Sequence, residues 1–335
     1  MKLSDFDYNL PKELIAQYPS RSRDESRLLV LHRDTGKIEH RIFKDIIEYF
    51  HKGDLLVLND TKVIPSRLIG RKETGGKVEA LILYNGKKGA LDGECEALLK
   101  PARGCKIGSR LIFGDKELEA EVTRIENGKR FLKFDGNKGV MDLLDKLGEM
   151  PLPPYIKRRA SDSDRESYQT IYASKKGAIA APTAGLHFTE SLLSRISSKG
   201  VDIECITLHV GYPTFRSVKT IDIREHKMEK EYFEIEDKVA KKLEQKKGRT
   251  IAVGTTTSRA LETIASLKGW TDLFIYPPYR FKKVDVLLTN FHLPRTTLLM
   301  LVSAFCGREN LFKAYQEAID KRYRFYSYGD AMLII

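Results

Sequence analysis

The sequence is poor in the residues that staple small or extracellular folds. Cysteine occurs four times in 335 residues, at Cys95, Cys105, Cys205 and Cys306. None forms a Cys-x-x-Cys pair, and no Cys/His cluster has zinc spacing, so neither a disulfide framework nor a metal centre is expected. The four read as reduced thiols of a cytoplasmic protein. Glutamine (four) and asparagine (seven) are scarce beside lysine and glutamate, a bias found in proteins from hot environments. Long apolar runs are missing too: the longest goes from Leu298 to Cys306, well short of the roughly 20 residues that span a bilayer. Met1-Lys2-Leu3-Ser4-Asp5 carries an acid where a signal peptide would carry apolar residues. No internal repeat or low-complexity tract interrupts the chain. These absences exclude collagen, coiled coil and wholesale disorder, and they leave a soluble chain with no membrane partner as the expectation.

What is present is an ordinary globular composition with a basic surplus. Apolar residues make up 41% and charged residues 31%. At about 150 residues per domain the length suggests two domains. Lysine and arginine number 58 against 46 acids, a net charge of +12. Such a surplus points to a polyanionic partner, nucleic acid above all, or to a basic thermostable enzyme with nothing bound.

The texture changes along the chain. Leu28 to His32 and Ile38 to Phe43 read as strands around a turn at Asp34 to Lys37, followed by a helical stripe from Phe43 to Phe50 and a short strand at Leu55 to Leu58. From about Arg67 to Gly136 short strands alternate with glycine turns: Val78 to Tyr84, Cys95 to Leu99, Arg110 to Phe113, Leu118 to Ile125 and Arg130 to Phe134, with turns at Asn85-Gly86, Gly114-Asp115, Asn127-Gly128 and Asp135-Gly136. That pattern predicts a small all-β barrel or sandwich. A short helix at Met141 to Leu147 precedes the proline-stiffened connector Met150 to Tyr155. Strands and helices then alternate: strands at Ala178 to Ala181, Ile203 to Val210, Thr250 to Val253, Leu273 to Tyr276, Val284 to Leu288 and Ala331 to Ile335; helices at Glu190 to Ser197, Lys238 to Lys247, Arg259 to Leu267, Leu298 to Phe305 and Leu311 to Ile319. The fold expected is α/β: a layered mixed-sheet α/β domain, residues 1–65 and 155–335, with an inserted small all-β barrel domain at 66–154. Two consecutive domains are the alternative.

Open α/β sheets bind ligands beyond the carboxyl ends of their strands. Five polar loops sit at such ends: Asn59 to Lys62, Ala181 to Phe188, Thr207 to Gly211, Gly254 to Arg259 and Thr289 to Pro294. Three carry a histidine, and together they suggest one shared cleft. The Gly254 loop precedes a helix and suits a phosphate or carboxylate, or serves as a plain Thr/Ser cap; without the Walker lysine or a full Gly-x-Gly-x-x-Gly it supports neither ATP nor NAD. His187, His209 and His292 are the acid/base candidates, each with a structural role open to it as well. Basic residues interleave with aromatics at Tyr155 to Arg159 and Tyr276 to Lys283, as in recognition of unpaired bases, or as in solvated loops with proline-packed tyrosines.

Several of these segments follow a familiar order. Leu56 to Pro65 (LVLNDTKVIP), Met150 to Ile156 (MPLPPYI), Ala181 to Phe188 (APTAGLHF), Thr207 to Gly211 (TLHVG), Thr289 to Pro294 (TNFHLP) and Tyr326 to Met332 (YSYGDAM) resemble the S-adenosylmethionine:tRNA ribosyltransferase-isomerase family of queuosine biosynthesis over nearly the whole chain. Tyr212-Pro213 and Thr257-Ser258 depart from the family pattern. The resemblance implies an α/β domain with an inserted β-barrel. It also implies transfer and isomerisation of the ribosyl moiety of S-adenosylmethionine onto an aminomethyl-deazaguanine base at the tRNA wobble position, giving epoxyqueuosine and releasing adenine and methionine. S-adenosylmethionine is then a co-substrate, with no tightly bound cofactor or metal, and a monomer is expected.

That chemistry assigns roles. The sulfonium acidifies the adjacent ribose carbon, so a base is needed: His187 or His209, then Asp60 or Asp330. Asn290 or His292 would bond or protonate the departing adenine. Arg259 with Thr255 and Thr256 would take the methionine carboxylate. Phe188, Phe291 or Asp60 would face the sulfonium. Asn59, Thr61, Arg67, Thr183, Gly185 and Gly211 complete the expected substrate contacts. Tyr155, Lys157, Arg158, Arg159, Tyr279 and Lys282 would hold the anticodon arm. Two other readings stay open: a non-catalytic RNA-binding protein, and an α/β phosphoribosyl-type transferase, which would need an acidic pair beside the Gly254 loop.

Overall fold

Short runs that are apolar nearly throughout can only be satisfied in the middle of a layered sheet, and four such runs make its centre. The computed structural model describes residues 1–84, 94–114, 117–135, 140–212, 218–263 and 266–335. Its first strands are β1 (Arg27–Leu31), β2 (Ile38–Ile42), β3 (Leu55–Asn59) and β4 (Thr61–Val63). The barrel strands follow: β5 (Arg67–Lys72), β6 (Lys77–Leu83), β7 (Glu94–Lys100), β8 (Arg110–Phe113), β9 (Leu118–Glu126) and β10 (Lys129–Phe134). Helices α1 (Val140–Leu147) and α2 (Asp164–Ser167) lead to β11 (Lys175–Ala178), α3 (Glu190–Ser198), β12 (Asp202–Leu208), β13 (Glu231–Glu234) and α4 (Asp237–Gln245). The chain ends with β14 (Thr250–Val253), α5 (Thr255–Glu262), β15 (Lys268–Thr271), β16 (Val286–Asn290), α6 (Thr297–Cys306), α7 (Arg308–Asp320) and β17 (Ala331–Ile334).

Nine strands form the main sheet in the order β15-β13-β12-β3-β14-β16-β17-β1-β2. The run β12-β3-β14-β16 is parallel, and β17 returns antiparallel to β16. Strands β3, β14, β16 and β17 are buried along their whole length. Their alternation divides the core between the two faces: Leu55 and Val57 pack with α5, α6 and α7, while Leu56 and Leu58 pack with α3 and the 3-10 helix Phe43–Tyr49. The expected helical stripe is thus present, wound more tightly than an α-helix. Between β4 and β11 the chain makes a closed antiparallel barrel, β10-β7-β6-β5-β8-β9, with its own core of Leu68, Val78, Leu111, Phe113, Val122 and Leu132. The mixed-sheet α/β fold with an inserted barrel is the architecture expected from the sequence.

Local capping follows the sequence as well. Thr189 caps α3 by accepting from the Leu192 amide at 3.2 Å, and Thr296 caps α6 through Leu299 at 3.3 Å. Three expectations change. Leu273 to Tyr276 is not a strand: Lys268–Thr271 takes the free edge of β13 instead, and Pro277-Pro278, which lack amide hydrogens, follow directly. The strand expected at Ala178 to Ala181 ends at Ala178, where Ile179 and Ala180 turn to the Val210 carbonyl. The helix expected from Arg259 starts four residues earlier, at Thr255, because Gly254 takes a φ of +92° and turns the chain sharply out of β14. Part of that helix prediction (264–265), Pro213, and the predicted turns at Asn85-Gly86, Asp115 and Gly136 lie outside the described residues.

Candidate active site

Parallel strands bring their carboxyl ends to one edge of the sheet, and here that edge collects Asn59, Leu208, Val253 and Asn290. Because β17 runs antiparallel to β16, its first residue, Ala331, lies beside Asn290 at the same edge. A cleft of about 520 Å³ opens there. Four of the five predicted loops reach it, through Ala181 to Ala184, Val210, Gly254 to Thr256, and Thr289, Asn290 and His292. Tyr155, Tyr168, Tyr326 and Ser327 close it on the other side.

Of the three loop histidines only His292 lines this cleft. Its Nε2 pairs with Thr289 Oγ1 at 2.8 Å. Its amide donates to the Tyr315 hydroxyl at 2.9 Å, and its carbonyl accepts from the Tyr8 hydroxyl. Burial pushes its imidazole down to about 3, so it is neutral near pH 7. His187 stands behind the wall. Thr183 Oγ1 donates to Asn290 Oδ1 at 2.7 Å, and Asn290 Nδ2 donates to His187 Nε2 at 3.3 Å. Nε2 is therefore the acceptor, and His187 Nδ1 carries the hydrogen that Ser26 Oγ accepts at 2.7 Å. The ring stacks on Phe43 at 4.9 Å, and burial pushes it down to about 4. It borders a second opening, lined also by Arg21, Arg23 and Tyr328, that meets the cleft at Ser327.

His209 lies on the far side of β12. Its Nδ1 is 2.7 Å from Thr61 Oγ1, its ring stacks on Tyr232 at 6.1 Å, and its edge approaches Gly177 so closely that a Cβ there would lie 2.4 Å from it. Burial lowers its pKa. Nearby, Asp60 accepts from Thr207 at 2.6 Å and from Ser174 at 2.8 Å, and Asn59 braces β12 through the Leu208 amide and carbonyl, both at 3.0 Å. Asp330 accepts from the Arg27 amide at 3.0 Å and the Arg324 amide at 2.8 Å, and pairs with the Arg27 guanidinium at 3.1 Å.

The remaining predicted residues divide in the same way. Thr183, Thr255 and Thr256 line the cleft, the last two at the N-terminus of α5, where amide groups and dipole favour an anion. Arg259 turns into the protein and forms a buried ion pair with Glu231, whose other oxygen accepts the Gly211 amide at 2.9 Å. Phe188 and Phe291 are fully buried in the two cores. A Cβ on Gly185 would fall 1.9 Å from the Tyr172 hydroxyl, so close packing explains that glycine. Arg67 donates to the Leu152 carbonyl at 2.8 Å and lines a separate groove between barrel and main sheet, with Lys100, Lys157, Arg158 and Arg159. Within it Arg158 pairs with Asp164 at 2.6 Å and 2.8 Å. Tyr279 and Lys282 sit elsewhere. The Glu262 carboxylate accepts from the Tyr279 hydroxyl and the Lys282 amide, at the opposite end of α5, about 12 Å from its N-terminus at 1.5 Å per residue.

Sequence reasoning missed Tyr168, Tyr326 and Ser327. Tyr326 and Ser327 belong to the Tyr326 to Met332 motif, which was the available signal. Tyr168 stands in a stretch without periodicity. Tyr326 holds a φ of +74°, a backbone state that a bulky residue keeps only when its surroundings enforce it. Among the described residues no group of three or more His, Cys, Asp and Glu side chains is placed to hold a metal ion, and no helix is long and apolar enough to cross a membrane.

Comparison with known proteins supplies the last observation. A family model described as queuosine biosynthesis protein matches residues 3–334. The chain is 52% identical to the S-adenosylmethionine:tRNA ribosyltransferase-isomerase of Acetivibrio thermocellus over the full length of both. It is 51% identical, again over both full lengths, to the protein of that name from Staphylococcus haemolyticus. Among solved structures it matches the S-adenosylmethionine tRNA ribosyltransferase of Thermotoga maritima at 42% identity and a TM-score of 0.55, covering 99% of this chain and 100% of that one.

Proposed function

The chain belongs to the queuosine biosynthesis protein family, and from that premise we propose that its cleft performs the reaction for which the curated relatives are named. The ribosyl moiety of S-adenosylmethionine is transferred and isomerised onto the aminomethyl-deazaguanine base at the wobble position of tRNA. Epoxyqueuosine forms, and adenine and methionine leave. The observation that carries this reading is the full-length identity of 52% to a relative of that name, together with a cleft at the carboxyl edge of the sheet that the matched segments build.

Within the cleft, Thr255 and Thr256 at the start of α5 hold the methionine carboxylate. Thr183 and Asn290 meet the adenine edge. His292 is the neutral imidazole nearest the reacting groups and takes or returns a proton there. His187 orients Asn290 from behind, since its Nε2 accepts the carboxamide hydrogen. His209, Asp60 and Asp330 brace the loops, because each is already engaged by neighbouring groups. Lys157, Arg159 and Lys100 in the barrel groove face the anticodon arm, with Arg158 fixed behind them by Asp164. Residues 66–154 act as an inserted unit, and the working form is a cytoplasmic monomer.

The test is release of adenine from S-adenosylmethionine in the presence of an anticodon stem-loop carrying the aminomethyl base, with mass spectrometry of the RNA. Release and a matching mass gain are expected from the native chain, and His292→Ala should lower the rate by about 10²–10⁴-fold. An RNA that binds yet never gains mass favours the non-catalytic reading.

A further inference from the structure

We propose that the cleft recognises the positive sulfur of S-adenosylmethionine with aromatic faces, those of Tyr155, Tyr168 and Tyr326, and without a carboxylate. The inference rests on the functional reading above and names the group that selects the cofactor-like substrate within it.

Sulfonium carries a full positive charge, and a cleft that takes it out of water must replace its hydration. A carboxylate can do this, and so can the negative faces of aromatic rings within about 6 Å. Among the described residues, none of those lining the cleft is Asp, Glu, Lys or Arg. The carboxylates expected nearby are committed elsewhere: Asp60 to Thr207 and Ser174, Asp330 to Arg27 and Arg324. The predicted aromatic partners, Phe188 and Phe291, are sealed in the cores.

Tyrosine faces remain. Tyr155 and Tyr326 stand with ring centroids 4.0 Å apart and planes at 83°, so that they form a corner with two walls. The corner is rigid. The Tyr155 hydroxyl is tied to Ser327 Oγ at 2.5 Å. The Tyr326 backbone, held at positive φ, donates to the Phe291 carbonyl at 3.0 Å and accepts from the Gly329 amide at 2.9 Å. Tyr168 is fully buried and lines the same cleft. Burial raises all three phenols above their ordinary range, so they act as neutral rings. Their attraction for a cation comes from the ring quadrupole. The same surface has little hold on methionine, which leaves as an uncharged thioether.

The experiment is calorimetric titration of the full chain with S-adenosylmethionine and with S-adenosylhomocysteine, the neutral thioether, without RNA. The native chain should prefer the sulfonium by ten- to thirtyfold, about what a desolvated cation–aromatic contact supplies. Tyr155→Leu and Tyr326→Leu should bring that ratio to within about twofold, while Tyr155→Phe and Tyr326→Phe, which keep the faces, should preserve it. Equal affinity of the native chain for the two compounds overturns the inference without any variant being needed. So does a ratio that survives the leucine replacements, since rings that merely stack on adenine would weaken both ligands alike. Failure of the free chain to bind either compound overturns this inference alone, whereas absence of adenine release in the stem-loop assay overturns the functional reading and this one with it.

Discussion

At the residue scale the histidines repay attention, because their protonation is set by where the chain buries them. His187 and His292 are ordinary imidazoles near 6.5 when unfolded, and burial pushes them down to about 4 and about 3 in the fold. Below about 6.5 the unfolded chain therefore takes up protons that the folded chain refuses. Stability is complete above that pH and is lost as pH falls toward 4, by up to about 1.4 kcal/mol per unit for each group. The midpoint of thermal unfolding should fall through this window, and His187→Gln, which keeps an acceptor for Asn290 but does not titrate, should flatten the decline. A pH series of melts for the two proteins checks this. A slope identical in both would remove His187 from the account.

At the element scale α5 is the piece that joins chemistry to structure. Its N-terminus lines the cleft, and its C-terminus anchors the chain entering β16. There the buried Glu262 carboxylate accepts amide hydrogens from Lys282, Lys283 and Val284, at 2.8–3.1 Å, and the Tyr279 hydroxyl at 3.0 Å. Removing one buried acceptor strands several donors at once. Glu262→Ala should cost roughly 2–4 kcal/mol, read as a lower urea midpoint at unchanged slope, and Glu262→Gln should cost less because an amide oxygen remains. This arrangement also explains why Tyr279 and Lys282, so suggestive as an RNA-binding cluster in the sequence, lie away from the cleft: the loop's task is to enter β16 at the opposite edge.

At the scale of the whole molecule the surplus of basic charge is not spread evenly around the site. The cleft lining is uncharged among the described residues, whereas the groove between barrel and sheet carries Arg67, Lys100, Lys157, Arg158 and Arg159 against Glu79. Under the proposed function, nucleobase chemistry and phosphate binding fall to these two adjacent surfaces, which join where Ile179 of the groove precedes Ala180 of the cleft. Charge-removing replacements Lys157→Gln and Arg159→Gln should weaken tRNA binding and make the negative slope of log K against log salt shallower by about 0.7–0.9 each. Arg158→Gln should chiefly lower stability, since it leaves the buried Asp164 without its cation. Filter binding across a salt series, beside a urea melt, distinguishes the two effects.

The sequence by itself determined the layer order, the inserted barrel and the family, because hydrophobic period, glycine turns and ordered motifs are local properties of the chain. It also determined that the loops after β3, β12, β14 and β16 share an edge, since that follows from alternating strands and helices. It could not say which way a side chain points at that edge. Three histidines in equivalent loops diverge, with His292 toward the cleft, His187 behind Asn290 and His209 across β12 against Thr61. Arg259 is drawn inward by Glu231, a partner 28 positions away. Tyr168 reaches the cleft from a stretch with no pattern of its own. Those directions arise from packing between segments distant in sequence, where burial of each polar group is tolerated only with a partner in place, and only the tertiary structure decides which partners meet.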